Sequence, residues 1–211
     1  KDKMGNITLF SILILFLPLG AFIYQLFFGK KLGANTHFVS LAIIAVMFAL
    51  SFNFFIQIFN DSLSGPILDV SGQWFTTGAF TLELGIYIDK ITVIMLMVVS
   101  LISFLVHLYS TAYMHGDPRY SRYFAFLGLF TFSMNGIVLS NSLVMMYLFW
   151  ELVGLSSYLL IGFWFEKNSA ANACKKAFLT NRVGDIGMFI GMLLIFFVVG
   201  TFNINHITEA V

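Results

Sequence analysis

The 211-residue chain is 59% hydrophobic and 10% charged, against roughly 45–50% and about 25% in soluble globular domains. With 26 phenylalanines and a net charge of +1, it is neither a soluble domain nor a disordered chain, and having no basic block or stripe it is not expected to bind nucleic acid. The lone Cys174 excludes an internal disulfide, a CxxC redox motif and a cysteine-held cluster, and His37, His107, His115 and His206 stand too far apart for a metal-ligand pattern.

A spanning helix needs about 20 mostly apolar residues, and the apolar runs divide this chain into six. The first covers residues 7–28. It is longer than the apolar core of a signal peptide, and no small-x-small cleavage site follows, so it is a retained span. Pro18 inside it predicts a kink that neighbouring helices must accommodate. A short loop with Lys30 and Lys31 leads to the second span, 37–59. A polar stretch then runs from Asn60 to about Asp89, carrying Asp61, Asp69 and Glu83. Within it, residues 73–88 are rich in Trp, Phe, Thr and Tyr, with Gly72, Gly78 and Gly85. They read as one or two short strands outside the bilayer, as in a hairpin.

The third span is 90–113. The loop 114–122 follows, with Gly116-Asp117-Pro118 as its turn signal. The fourth span is 123–139, and Ser140-Asn141-Ser142 makes a tight connection to the fifth, 143–165. Glu166 to Ser169 closes it, with Ser169 the expected N-cap of the next helix. The sixth helix, 170–200, is about 45 Å long against a hydrocarbon core of ~30 Å, so its first turns, with Lys175 and Lys176, project into the interface. Residues 203–211 read as the start of a connection, and the chain reads as part of a longer protein. The fold class is an all-α polytopic membrane protein with about six transmembrane helices and a short extracytoplasmic hairpin-like segment between helices 2 and 3. Lys30, Lys31, Arg119, Arg122 and Lys167 follow spans one, three and five, against Lys1, Lys3 and Lys90 on the other side. The first set is therefore cytoplasmic and both termini lie outside.

The exceptions to apolarity carry the functional information. An Asp, Lys or Arg at the centre of a span costs about 2.5–3.5 kcal/mol or more, and intramembrane ionisable groups usually face a partner or a water-filled path. Glu151 lies eight residues into span five, about 12 Å along its axis. It is a candidate for changing protonation; the alternative is a structural hydrogen bond between helices. Arg182 and Asp185, three apart on one helix face, can pair, either as a functional couple or as a device fixing helix rotation, with Arg182 able to snorkel. Lys175 reads as an interfacial anchor. Lys176 is placed to bias a carboxylate if helices five and six pack. His107 is either a relay histidine or a neutral, hydrogen-bonded one. Asn135 and Asn181 are expected to bond between helices, and Gly154, Gly162, Gly184, Gly187 and Gly191 to allow close helix packing. No Walker loop, dinucleotide fingerprint or Ser-His-Asp arrangement is present.

Four stretches now point to a family: His107-Leu108-Tyr109-Ser110-Thr111-Ala112-Tyr113-Met114, Arg122-Tyr123-Phe124, Leu148-Phe149-Trp150-Glu151-Leu152-Val153-Gly154 through Gly162, and Lys176-Ala177-Phe178 with Asn181-Arg182-Val183-Gly184-Asp185. Together they resemble the large antiporter-like subunit of respiratory complex I, chain 5 or the L subunit. The resemblance covers residues 70–211 well and residues 1–60 by hydropathy alone. It implies a proton-translocating subunit of NADH:quinone oxidoreductase, with Glu151 matching the fifth-helix glutamate that interacts with a lysine on a neighbouring helix. Lys176, Arg182 and Asp185 match the sixth-helix charges, and His107 the histidine before Tyr-Ser. Ala112 and Asn141 depart from the family's frequent Gly and Asp. It implies that NADH, FMN, iron–sulfur clusters and quinone sit in partner subunits, with no cofactor or metal here. Its expected partners are other complex I membrane subunits, the peripheral electron-transfer arm and the lipid bilayer. It further implies residues 1–71 as the first two helices, 72–123 as the chain 5 signature region and 124–211 as the start of the antiporter-like domain. A bacterial plasma membrane is the expected location, with an organellar inner membrane as the alternative. The same signature is similar to the large subunit of multisubunit sodium/proton antiporters and to the membrane partner of bicarbonate-uptake systems.

Overall fold

The computed structural model describes residues 2–60, 67–77 and 80–210. Lys1, Asp61 and Gly78 lie outside the described residues. The element order is α1 (Asp2–Leu32), a 3-10 turn (Gly33–Asn35), α2 (Thr36–Asn60), β1 (Leu68–Thr77), β2 (Phe80–Ile88), α3 (Lys90–Tyr113), α4 (Tyr120–Leu139), α5 (Leu143–Ile161), α6 (Asn168–Val199) and α7 (Ile204–Ala210). Helices α1 to α6 are each long and apolar enough to cross a membrane, and the chain is an integral membrane protein.

α4 is the central helix, packed on α1, α3 and α5, while α2 joins α1 to α3 and α6 rests on α5. Its contact with α1 explains how the proline is tolerated. Pro18 lies inside α1 and has no N–H to give the carbonyl one turn back, that of Ile14. The buried Asn135 of α4 donates to that carbonyl at 3.0 Å, so the backbone group has a partner where water is absent. Gly128 lets α4 come this close, since a Cβ there would stand 3.0 Å from the Pro18 carbonyl oxygen. Gln25 ties α1 to α2 across their short turn, donating to the Thr36 carbonyl at 2.7 Å.

The strands form an antiparallel hairpin, with a register shift between Gln73 and Phe75. Its base enters the main core, where Leu68 and Ile88 are buried with Ile14, Ile44, Phe54 and Leu139. Asp89 then caps α3, its carboxylate accepting from the Thr92 N–H at 2.7 Å. The hairpin also holds the α4–α5 turn and the end of α6. Ile86 bridges to Ser140, Ser142 to Asn203, and Asn203 donates to the Glu83 carboxylate at 3.0 Å. A second core of Met114, Tyr120, Phe124 and Phe163 closes the opposite, loop end.

Several expected boundaries move. β1 begins at Leu68 rather than 73, and α4 begins at Tyr120 rather than 123. Asp117 ends the preceding turn by accepting from the Arg119 N–H at 2.8 Å. α5 stops at Ile161, not 165: Trp164 leaves the helix and donates to Asp117 at 2.9 Å. Phe163 and Trp164 are apolar, but they pack in the loop core. Ser169 is not the N-cap of α6. That position is Lys167, without a side-chain cap, because the helix starts one residue before Ser169. Among the described residues nothing lies within 4 Å of a Cβ added at Gly184, Gly187 or Gly191, so none of the described helices packs closely against them. Residues 204–210 form the short α7.

Candidate functional site

Glu151 is the ninth of the 19 residues of α5, and Arg182 and Asp185 straddle the midpoint of the 32-residue α6. The packing of α6 on α5 brings them together. The Arg182 guanidinium pairs with Glu151 through Nη1 and with Asp185 through Nη2, the second at 3.0 Å. Asp185 also accepts from Trp150 Nε1 at 3.0 Å, and Tyr147, one turn before Glu151 on α5, lies beside that carboxylate. The guanidinium lies over the Phe178 ring, 4.9 Å from its centroid. Gly154 makes room for it, since a Cβ there would stand 3.3 Å from Nη2.

Arg182 thus reaches across to α5 rather than snorkelling to the interface. A second carboxylate at that depth draws the cation more strongly than distant water, because charges attract more in a low dielectric. Asp185 is enclosed, with its side chain 5% exposed, whereas Glu151 and Arg182 keep open sides at 25% and 33%. Two carboxylates face one guanidinium, so with both ionised the cluster would carry one negative charge in excess, for a proton or a second cation to balance. Asp185 faces a cavity of about 590 Å³, together with Trp150, Gly154, Thr180 and Asn181. Asn181 lies exposed on its wall and makes no hydrogen bond between helices among the described residues.

Lys176 and His107 are not part of this cluster. Lys176 is exposed on α6 and forms no ion pair among the described residues. His107 is buried on α3. Its Nδ1 lies 2.8 Å from the Ser103 carbonyl, which makes Nδ1–H the donor and leaves Nε2, without a partner among the described residues, as an acceptor. Beside it the Ser103 and Thr131 hydroxyls meet at 2.7 Å. All three line a separate cavity of about 310 Å³. The two cavities share Met95 and Met134 as wall residues. Tyr147, Trp150, Ser103 and Thr131 were not singled out from sequence. The i, i+4 spacing of Tyr147 and Glu151 is a readable signal, whereas the partner of Trp150 depends on the rotation of α6. Among the described residues no His, Cys, Asp or Glu group is placed to hold a metal.

Comparison with known proteins agrees with this arrangement of helices. Residues 74–124 match the family described as NADH-Ubiquinone oxidoreductase (complex I), chain 5 N-terminus, and residues 140–211 match NADH:quinone oxidoreductase/Mrp antiporter, TM. The chain is 42% identical to NAD(P)H-quinone oxidoreductase subunit 5, chloroplastic, of Cryptomeria japonica, over 98% of this chain and 28% of that protein. It is 48% identical to the protein of the same name from Chlorokybus atmophyticus, over 78% of this chain and 25% of the relative. The chain thus spans about a quarter of the length of these curated relatives. A solved structure with the same fold is that of a membrane-bound sulfane sulfur reductase, an archaeal respiratory membrane complex. It aligns with a TM-score of 0.79 and 19% identity over 94% of this chain and 39% of the other.

Proposed function

We propose a function from one established fact: the chain belongs to the chain 5 family of NADH:quinone oxidoreductase (complex I) membrane subunits. It works as part of a proton-translocating subunit of that oxidoreductase. The observation that carries this reading is the Arg182 guanidinium held between Glu151 and Asp185 at the middle of two adjacent spans, one cation shared by two carboxylates, so that with both ionised one negative charge is in excess. Asp185, fixed by Trp150, anchors Arg182. Glu151, with its open side, is the group that gains and loses a proton. When Glu151 is ionised, Arg182 bridges both carboxylates; when it is protonated, Arg182 keeps Asp185 alone. A change in the surrounding charge, driven by electron transfer in partner subunits, moves the balance between these states.

His107 and Lys176 are proposed as outlying members. His107 relays a proton through its free Nε2, and Lys176 biases the field from the loop end. NADH, FMN, iron–sulfur clusters and quinone are held by partner subunits, and the chain itself carries out no redox step. Its partners are the neighbouring membrane subunits and, through them, the peripheral arm. Residues 1–71, 72–123 and 124–211 are the proposed divisions: leading helices, signature region and start of the antiporter-like domain. The loop end carries Lys30, Lys31, Arg119, Arg122, Lys167, Lys175 and Lys176, which supports a cytoplasmic-type side there and the hairpin outside. The chloroplast relatives favour an organellar membrane over the bacterial plasma membrane.

The second family description names an antiporter, which supports a sodium/proton antiporter subunit as the other reading; a bicarbonate-uptake partner stands behind it. A native gel of detergent-solubilised membranes, stained for NADH oxidation and sequenced band by band, separates these. Co-migration of this sequence with NADH oxidation is the expected result. A smaller complex without that activity, with sodium-dependent transport, overturns it.

A further inference from the structure

The loop end carries a cavity that the proton-moving reading does not use. It lies between α4, α5 and α6 and measures about 370 Å³. Two cations from different helices line it, Arg122 in the first turn of α4 and Lys175 near the start of α6, and no carboxylate does. Both are exposed, and neither has an acidic partner among the described residues. The nearby acids are engaged elsewhere. Glu166 grips Arg119 at 2.7 and 2.9 Å, and Asp117 accepts from Trp164 and from the Arg119 N–H. The remaining wall is aromatic or apolar, with Phe126, Phe163 and Phe165, and the Tyr158 phenol adds a polar tip.

The cavity sits where the spans end, at the level of lipid headgroups. A free anion would satisfy the two cations but leave the aromatic wall against water. A headgroup with its attached chains satisfies both. At about 30 Å³ per liquid water, the space of about 370 Å³ takes the phosphate, the glycerol and the first carbons of the acyl chains against the aromatic wall. The rest of the chains has a path outside. Leu179, Val183 and Ile186 follow Lys175 at i+4, i+8 and i+11, on one face of α6, and are 65%, 73% and 62% exposed. We propose that this cavity binds the phosphate-bearing headgroup of an anionic lipid. The Arg122 guanidinium and the Lys175 ammonium grip the phosphate, and the acyl chains run along that face of α6. Guanidinium supplies paired N–H donors to phosphate oxygens, and basic pockets between transmembrane helices favour such headgroups.

The test uses the intact complex containing the full-length subunit, with bound lipid counted by native mass spectrometry. The probes are phosphatidylglycerol, phosphatidylcholine and inorganic phosphate. The wild type is expected to retain one more phosphatidylglycerol than the Arg122→Gln/Lys175→Gln variant. Rebinding by the variant should be weaker by about 10–30-fold, the effect of two interfacial cations. The charge-preserving pair Arg122→Lys and Lys175→Arg should keep the lipid. Equal phosphatidylglycerol counts in wild type and the glutamine variant overturn the proposal. So does equal retention of phosphatidylcholine, or full displacement by inorganic phosphate, which marks a free-anion site. If the double variant does not assemble, Lys175→Gln alone and the wild-type preference between the two lipids decide in the same way.

Discussion

Arg119 and Arg182 each hold a carboxylate from a distant part of the chain, in opposite surroundings. Arg119 lies in the α3–α4 loop and grips Glu166 of the α5–α6 loop with two parallel bonds, beside water. Arg182 lies midway along a span and bridges Glu151 and Asp185. The first contact has the better fork geometry and the smaller consequence, because solvent and salt weaken an exposed pair. In the second, neither carboxylate has bulk water to fall back on. The environment, not the residue pair, decides how much each contact contributes to stability.

The largest expected effect comes from removing the inner arginine. Arg182→Leu leaves two carboxylates at mid-span without a counter-charge, and breaking a buried pair costs about 3–5 kcal/mol. Thermal unfolding of the purified complex should show this as lost assembly or a large drop in midpoint, with Arg182→Lys in between. If Arg119→Leu costs as much, the contrast between the two sites fails.

A neutral intramembrane contact should fall between the two. Asn135→Leu removes the donor that serves the Ile14 carbonyl beside Pro18, and interhelical hydrogen bonds in membranes are worth about 0.6 kcal/mol, up to about 2. Pro18→Ala restores a backbone N–H to that carbonyl. In a double-mutant cycle the loss from Asn135→Leu should therefore shrink in the Pro18→Ala background. Strict additivity would show that the two do not share the carbonyl.

The smallest effect belongs to the outer pair. The hydrogen bonds from Arg119 hold the Glu166 carboxyl below its ordinary value of 4.5 and raise the Arg119 value. A carboxylate lowered on folding contributes stability above its unfolded value and loses it as pH falls through the lower folded value. Hydrogen exchange in residues 114–119 and 162–168 should therefore quicken as pH drops from about 5 to about 3, after correction for intrinsic exchange. Glu166→Gln should flatten that change. An unchanged profile in this variant would mean that the fork does not hold the loops.

The six spans could be read because long apolar runs have few other uses. Their ends could not, because Phe163 and Trp164 are as apolar as any helix residue and pack in a loop. The strand tendency around residues 73–88 was visible, but the start at Leu68 depends on the core that buries it with Ile88. At the site, Glu151, Arg182 and Asp185 stand out as ionisable groups in apolar runs, and the spacing of three predicts the Arg182–Asp185 pair. Arg182 reaching Glu151, and Trp150 reaching Asp185, depend on how α6 is turned against α5, which no single-helix pattern contains. The family pattern groups Lys176 and His107 with Glu151; the structure leaves Lys176 exposed and His107 in a neighbouring cavity.

The most direct measurement is proton translocation by the intact complex carrying Glu151→Gln, with assembly followed on a native gel. The amide keeps the shape of the side chain and some of its hydrogen bonding, but cannot exchange a proton in this role. Translocation should fall well below wild type while the complex assembles at a normal level. Full translocation in an assembled Glu151→Gln complex would contradict the central role given to this carboxylate and leave the cluster a purely structural one.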